Sequence, residues 1–369
     1  MVSIESFVTA AECQKKRFAE PPSDGKRYIG YFCTYTPVEL IHAAGFVPVR
    51  LIGETARIFR ADALTPSFIC PFLRRLTEDA YHGNYRFLSG VIQGYTCDAA
   101  CGMINVWAEN IGGEIFHSLP IPYTDSSEAG NFFRSALLEL TEKLNRAGGT
   151  YTEESLAHSM VLYGKIRQLL LNCYSMRYEG RLPLSAGEFL TVIRAGFAMA
   201  PEDYLVDLER LTAECKTADH LPKSGIPVLV SGSVIETPQV LELLETSGGR
   251  VVADDLCTGF RHAYPANGEG KRPLDRLINR HMNRLPCPSR VRAIERAPRL
   301  LDRIRQSGAK GVVFMLQKFC TPHLADLPIL TDELKKAGLP ALIFEMDETG
   351  SMEGQLRTRL ESFFEMIEE

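Results

Sequence analysis

The chain has 369 residues, ten cysteines and a formal charge of -5 at pH 7. That length is too great for one ordinary core and predicts two α/β domains with a helical insert, while the acidic balance leaves no basic stripe and argues against nucleic acid as the partner. No stretch approaches the ~18 apolar residues of a membrane span, and the start MVSIESFVTAAECQKK lacks a basic region followed by an apolar one, so no membrane contact and a cytoplasmic location are expected.

Residues 1 to about 20 read as a helix broken at Pro21, Pro22, Ser23, Asp24 and Gly25. A strand over Tyr28 to Phe32 then delivers Cys33. Pro37 suits the first turn of a helix, Gly45 caps it, and Val47 to Leu51 start a second strand. This is a βαβ beginning with a thiol on its first turn, close to a helix N-terminus that would favour a thiolate. Ser67 to Ala80 reads as a helix opened by Cys70-Pro71. The short strand Gly90 to Ile92 runs out through Gly94 and Tyr95 into Cys97, with Cys101 one helical turn beyond, and Glu114 to Leu119 is the next strand.

From about Ser126 to Thr217 the pattern becomes long amphipathic helices, with a capping box at Ser185 and Glu188. Gly225 begins a second α/β unit: a strand at Val228 to Val230, a tight turn at Ser231-Gly232-Ser233, a helix from Pro238 to Glu245, and a strand at Val251 to Ala253. That second strand delivers Asp254, Asp255 and Cys257. Gly259 to Arg272 reads as loop and Leu274 to Asn283 as helix, and Leu285-Pro286-Cys287-Pro288 is a rigid turn holding a thiol. Val312 to Leu316 is apolar on both faces, as a central parallel strand is, and Cys320 falls where it ends. The helix Leu330 to Ala337, the strand Ala341 to Phe344 and a closing helix from Gln355 to Ile367 complete the chain. The expected divisions are 1–130, an N-terminal α/β domain, 131–224, a helical segment, and 225–369, a C-terminal α/β domain. Each α/β part is a doubly wound parallel sheet.

Ligands of open α/β sheets bind at the carboxyl ends of the strands. Six cysteines lie on strand ends or loops: Cys33, Cys70, Cys97, Cys257, Cys287 and Cys320. Cys13, Cys101, Cys173 and Cys215 do not sort this way, and Cys173 and Cys215 read as packing residues inside helices. In reducing cytosol, structural disulfides are disfavoured and metal or redox use leads. No CxxC pair exists, so neither a zinc ribbon nor a ferredoxin-like run fits, but widely separated loops can supply thiolates to a cluster where two domains meet. There is no GxGxxG and no GxxxxGK[ST], so no nucleotide site of those kinds is expected. His42, His262 and His323 read as surface or packing histidines, and no residue is assigned a proton-transfer role.

The segments YFCTYTPVELIHAAGFVPVR, FICP, GVIQGYTCD, VVADDLCTGFR, GVVFMLQKFCTPH, GLPALIFEMD and GQLRTRLESFFEM are together similar to the 2-hydroxyacyl-CoA dehydratase and benzoyl-CoA reductase group of iron-sulfur proteins. The resemblance implies two flavodoxin-like domains with a cluster between them, and a separate ATP-hydrolysing activator that injects a low-potential electron. Three cysteines bind each cluster in the dehydratases, at positions matching Cys70, Cys97 and Cys320. The additional Cys33 and Cys257 resemble the double-cubane cluster branch, in which two cubanes joined by a sulfide take six thiolates. Cys287 aligns less securely. The resemblance therefore implies a reductase with a double-cubane [8Fe-9S] cluster, working as a homodimer on a small substrate. The alternative is a [4Fe-4S] subunit of a 2-hydroxyacyl-CoA dehydratase, or of a benzoyl-CoA reductase type enzyme.

Overall fold

A computed structural model describes residues 2–19, 25–53, 57–124, 126–219, 224–346 and 353–368. The expected break at Pro21 to Asp24 lies outside the described residues.

Two four-stranded parallel sheets carry the fold. The first contains β1 (Tyr28–Tyr31), β2 (Val47–Arg50), β3 (Leu88–Tyr95) and β4 (Ile115–Pro120), in the order β2-β1-β3-β4. The second contains β5 (Ile226–Gly232), β6 (Gly249–Asp255), β7 (Gly311–Gln317) and β8 (Ala341–Met346), in the order β6-β5-β7-β8. The order is the same in both, and the chain reverses direction across each sheet at the β1/β3 and β5/β7 neighbours. The fold is thus α/β with two flavodoxin-like, doubly wound sheets.

The apolar runs explain the layering. Every residue of β7 is buried. Val313 and Met315 pack on the helices Gln239–Thr246 and Glu353–Glu368, whereas Val312, Phe314 and Leu316 pack on Ala293–Ser307 and Thr321–Lys336. Alternate residues of one strand therefore fill two cores, as period-two geometry requires. Each fully buried side chain of this kind stabilises the fold by roughly 1.5–3 kcal/mol. In the first sheet Ile29 and Ile92 face the helices Val38–Ala43 and Ser127–Arg146, and Tyr28 and Val91 face Pro71–Tyr81 and Asp98–Asn110. The helices Glu153–Tyr178, Ala186–Ala195 and Pro201–Thr217 form a further apolar core, and Phe7 of the helix Glu5–Ala19 is buried in it. Cys173 and Cys215 are buried there too.

Several boundaries differ from the sequence reading. Ser231 and Gly232 are strand, not turn, because β5 runs on to pair Gly232 with Met315. The helix expected from Ser67 starts at Pro71, since Cys70 is extended as a residue before proline must be. The expected loop after Gly259 contains the short helix Phe260–Ala263. The helix placed at Leu330 starts at Thr321 and carries Pro328 inside it. The sequence reading missed the helix Ala293–Ser307, whose inner face mixes Ala297, Leu300 and Ile304 with buried Arg296 and Arg303, blurring its apolar period.

Candidate functional site

The carboxyl edges of the two sheets meet, and backbone polar groups near the cysteines tie them together. Thr34 Oγ1 and Arg50 Nη1, from the first sheet, donate to the Cys257 carbonyl of the second at 3.2 and 3.0 Å. Arg284 reaches back to the Thr34 carbonyl at 2.5 Å. Gly53 N donates to Glu236 Oε1 at 3.2 Å, and Arg75 pairs with the same carboxylate. Val234, which follows β5, packs into the core of the first sheet beside Cys70, Cys97 and Cys257.

Cys70, Cys97 and Cys320 take equivalent places: each is the N-cap residue of a helix, beginning Pro71, Asp98 and Thr321. Their thiols form no cap hydrogen bond, yet the backbone N-H groups of Leu73, Ala100 and His323, three residues on, favour each thiolate. Cys33 is placed differently from expectation. A turn closed by Thr36 N on the Cys33 carbonyl at 3.1 Å separates it from the helix that begins at Val38, so that helix N-terminus does not reach it. Its Sγ lies 3.4 Å from Thr96 Oγ1 and accepts from Tyr35 N at 3.5 Å. Cys257 follows β6, its N-H held by the Ser233 carbonyl at 2.8 Å. Cys287 lies in the turn after the helix Pro273–Met282.

All six are half-buried, unlike Cys101, Cys173 and Cys215, which are buried. They form one electrostatic neighbourhood. Cys97 is destabilised as a thiolate by Cys320, Cys33 and Cys287; Cys320 by Cys70, Cys257 and Cys287; Cys33 by Cys257. Burial is the larger influence and pushes Cys70, Cys97 and Cys320 up to about 12 and Cys287 to about 11. In the protein alone the cost of desolvating a thiolate thus exceeds what those N-H groups return. A bound metal reverses that balance, since thiol ligands deprotonate as they bind.

The surroundings are cationic. Arg50, Arg261 and Arg284 are all buried. Arg284 donates to the carbonyls of Thr34 and Arg261 and stacks on Tyr35 at 5.1 Å. Burial would lower the pKa of Arg261, yet Asp255, 3.0 Å away, holds it well above the usual arginine value. Buried guanidinium groups facing thiols match the negative charge that a thiolate-bound cluster gathers. Among the described residues, no three Cys, His, Asp or Glu side chains group as ligands of one metal ion. A cubane asks for no such grouping, because each of its thiolates binds a different iron. The donor set, thiols with buried cations, fits an iron-sulfur group. A cavity of about 500 Å³ lies beside this region, walled by Tyr35, Ile121, Tyr123, His281, Arg284, Pro286 and Arg290 among others.

Residues 33–367 match the family described as 2-hydroxyglutaryl-CoA dehydratase, D-component. The chain belongs to that family. It is 27% identical over 348 residues to the (R)-phenyllactyl-CoA dehydratase beta subunit of Clostridium sporogenes, covering 93% of this chain and 92% of the relative. A subunit of the benzoyl-CoA reductase of Thauera aromatica is 23% identical over 351 residues, 93% and 91% of the two chains. The beta subunit of the (R)-2-hydroxyglutaryl-CoA dehydratase of Acidaminococcus fermentans is 25% identical over 378 residues, 99% and 98%. These relatives are enzymes whose names span a lyase and a reductase. The D-component family thus agrees with the resemblance seen in the sequence.

Four contributors to the site escaped the sequence reading: Arg50, Arg261, Arg284 and Gln93. Gln93 had a visible signal, a lone amide in the apolar run GVIQGY; Arg261 and Arg284 had only their nearness to Cys257 and Cys287 in sequence, and Arg50 had no such signal.

Proposed function

We propose that this D-component is a reductase that holds a double-cubane [8Fe-9S] cluster on Cys33, Cys70, Cys97, Cys257, Cys287 and Cys320. It receives low-potential electrons from a separate ATP-hydrolysing iron-sulfur activator, and it works as a cytoplasmic homodimer. The observation that carries this reading is the gathering of six half-buried thiols from both sheets into one neighbourhood lined by buried arginines. A cluster needing three ligands leaves Cys33, Cys257 and Cys287 without a purpose at a place where packing alone would favour buried, apolar side chains.

When bound, the cluster supplies electrons one at a time at low potential. The chain's own residues do the rest. Arg261 and Arg284 offset the charge of the thiolates, the N-H groups of Leu73, Ala100 and His323 orient three of them, and the ties from Thr34 and Arg50 to Cys257 fix the two halves against each other. The cavity beside Pro286 and Arg284 admits the small substrate, and its wall of Arg284, Arg290, Arg292 and Arg299 against Glu295 favours one with negative charge.

The relatives' names support a second reading, a single [4Fe-4S] subunit of a 2-hydroxyacyl-CoA dehydratase with Cys70, Cys97 and Cys320 as ligands. Iron and sulfide analysis of anaerobically purified protein separates the two, with about eight irons per chain expected for the first and about four for the second. Four irons that persist when Cys33 and Cys257 are both replaced by serine would rule out the double cubane.

A further inference from the structure

Gln93 and Gln317 both lie near the carboxyl ends of β3 and β7, the strands that hold the same position in the two sheets, but on opposite faces: Gln93 shares the face of Val91, and Gln317 that of Val313 and Met315. Both are buried, at 0% and 4% exposure. Each ties down the segment leaving the neighbouring strand, but in opposite senses. Gln93 Oε1 accepts from Phe32 N and Cys33 N at 3.2 and 3.0 Å, whereas Gln317 Nε2 donates to the Val234 carbonyl at 3.1 Å. Two converging N-H groups can face only an oxygen, so the Gln93 amide is fixed with its nitrogen turned away from them. What remains is a donor in one half, Gln93 Nε2, and an acceptor in the other, Gln317 Oε1. Neither has a hydrogen-bond partner among the described residues.

A buried amide nitrogen without an acceptor is costly, and such groups are rare in folded proteins. Gln93 holds the N-H of Cys33 and stands four residues before Cys97 on the same strand-to-helix run. Those two thiols are electrostatic neighbours. The acceptor it lacks in the polypeptide is therefore to be sought where those thiols meet.

We propose that Gln93 Nε2 donates a hydrogen bond to a sulfur of the iron-sulfur group held at Cys33 and Cys97, and so makes that end of the group the easier to reduce. Gln317 spends its own amide N-H on the Val234 carbonyl and so leaves no such donor near the end of β7. This rests on the reading of the site as a double-cubane centre with Cys33 and Cys97 among its ligands. A donor to sulfur stabilises the added negative charge of the reduced state, which is one way proteins set cluster potentials. The incoming electron then settles first on the Cys33 and Cys97 side. Gln93 acts here through the cluster rather than on substrate.

The test uses anaerobic holoprotein in which glutamine side chains carry ¹⁵N. Electron-nuclear double resonance of the reduced wild type should show a ¹⁵N amide coupling and an exchangeable proton lost in D₂O. Gln93→Met should abolish both and leave iron content unchanged. It should also shift the reduction equilibrium about tenfold towards the oxidised form, 59 mV for a one-electron couple. Gln93→Glu, which keeps an oxygen for Phe32 and Cys33, should do the same, and Gln317→Met should leave the ¹⁵N coupling in place. Full iron without that coupling in the wild type overturns the proposal, and so does a potential that neither Gln93 variant moves. If the variants fail to assemble, the wild-type spectrum alone decides. A wild type without iron overturns the iron-sulfur reading itself, a distinguishable result.

Discussion

In the proposed reading Cys33 and Cys257 separate two chemistries that share one fold, because a three-ligand cluster on Cys70, Cys97 and Cys320 would not need them. Serine at either position should lower iron content and shift the low-temperature paramagnetic signal; if they only pack, serine should cost about 1 kcal/mol and leave iron unchanged. A second residue-scale prediction concerns Glu39, which is buried and paired with Arg167, with Arg280 3.8 Å away. Burial alone would raise its pKa, but those arginines hold the carboxyl well below the usual range. A carboxyl depressed on folding stabilises the native state fully above its unfolded value of about 4.3, and that contribution is lost as pH falls from there towards the folded value. Glu39→Gln should therefore cost about 3–5 kcal/mol near neutral pH by stranding Arg167, and should flatten the acid limb of stability measured by urea unfolding between neutral pH and pH ~3. An acid limb unchanged in Glu39→Gln would show that other carboxylates set it.

At the scale of elements, the strand ends decide both what could be read in advance and what could not. β7 is legible from Val312 to Leu316 because both faces are buried and the run is wholly apolar. The end of β5 is not, because Ser231 and Gly232 resemble turn chemistry. The sequence cannot show that Gly232 is there for close approach: a Cβ at that position would lie 1.9 Å from the Met315 carbonyl oxygen. Gly232→Ala should part β5 from β7 and reduce both the thermal midpoint and iron loading; a variant with a midpoint and iron content like the parent would refute this. The helix Ala293–Ser307 hides for a different reason. Arg296 occupies an inward position to reach Asp255 at 3.0 Å and Asp326 on the next helix, so a charge stands where the pattern asks for an apolar residue. Arg296→Leu leaves Asp326 buried without that partner and should cost about 3–5 kcal/mol, seen as a lower urea midpoint with unchanged slope. The candidate thiols themselves were legible, since strand-turn-cysteine units recur along the chain. Their charge environment was not, because Arg50, Arg261 and Arg284 converge only when the two sheets meet.

For the whole molecule, the repeated strand order places one set of carboxyl edges against the other, and a two-fold pairing of such chains is the simplest assembly for the proposed reductase. Light scattering of the holoprotein expressed alone should give twice the chain mass, and a stable monomer would contradict the homodimer. The helix Glu5–Ala19 adds a matter of timing. Phe7 is wholly buried, edge-on to Tyr204 at 6.0 Å, in a core that, Ile52 apart, is built from Leu162 onward. A ribosome adding 5–20 residues per second needs roughly 10–40 s to make the roughly 200 residues between them. Until then the apolar face of the first helix lacks Tyr204 and the later residues that close that core. Ribosome-bound chains halted before Tyr204 should therefore expose Phe7 to protease or to a chaperone, and chains released after Thr217 should not.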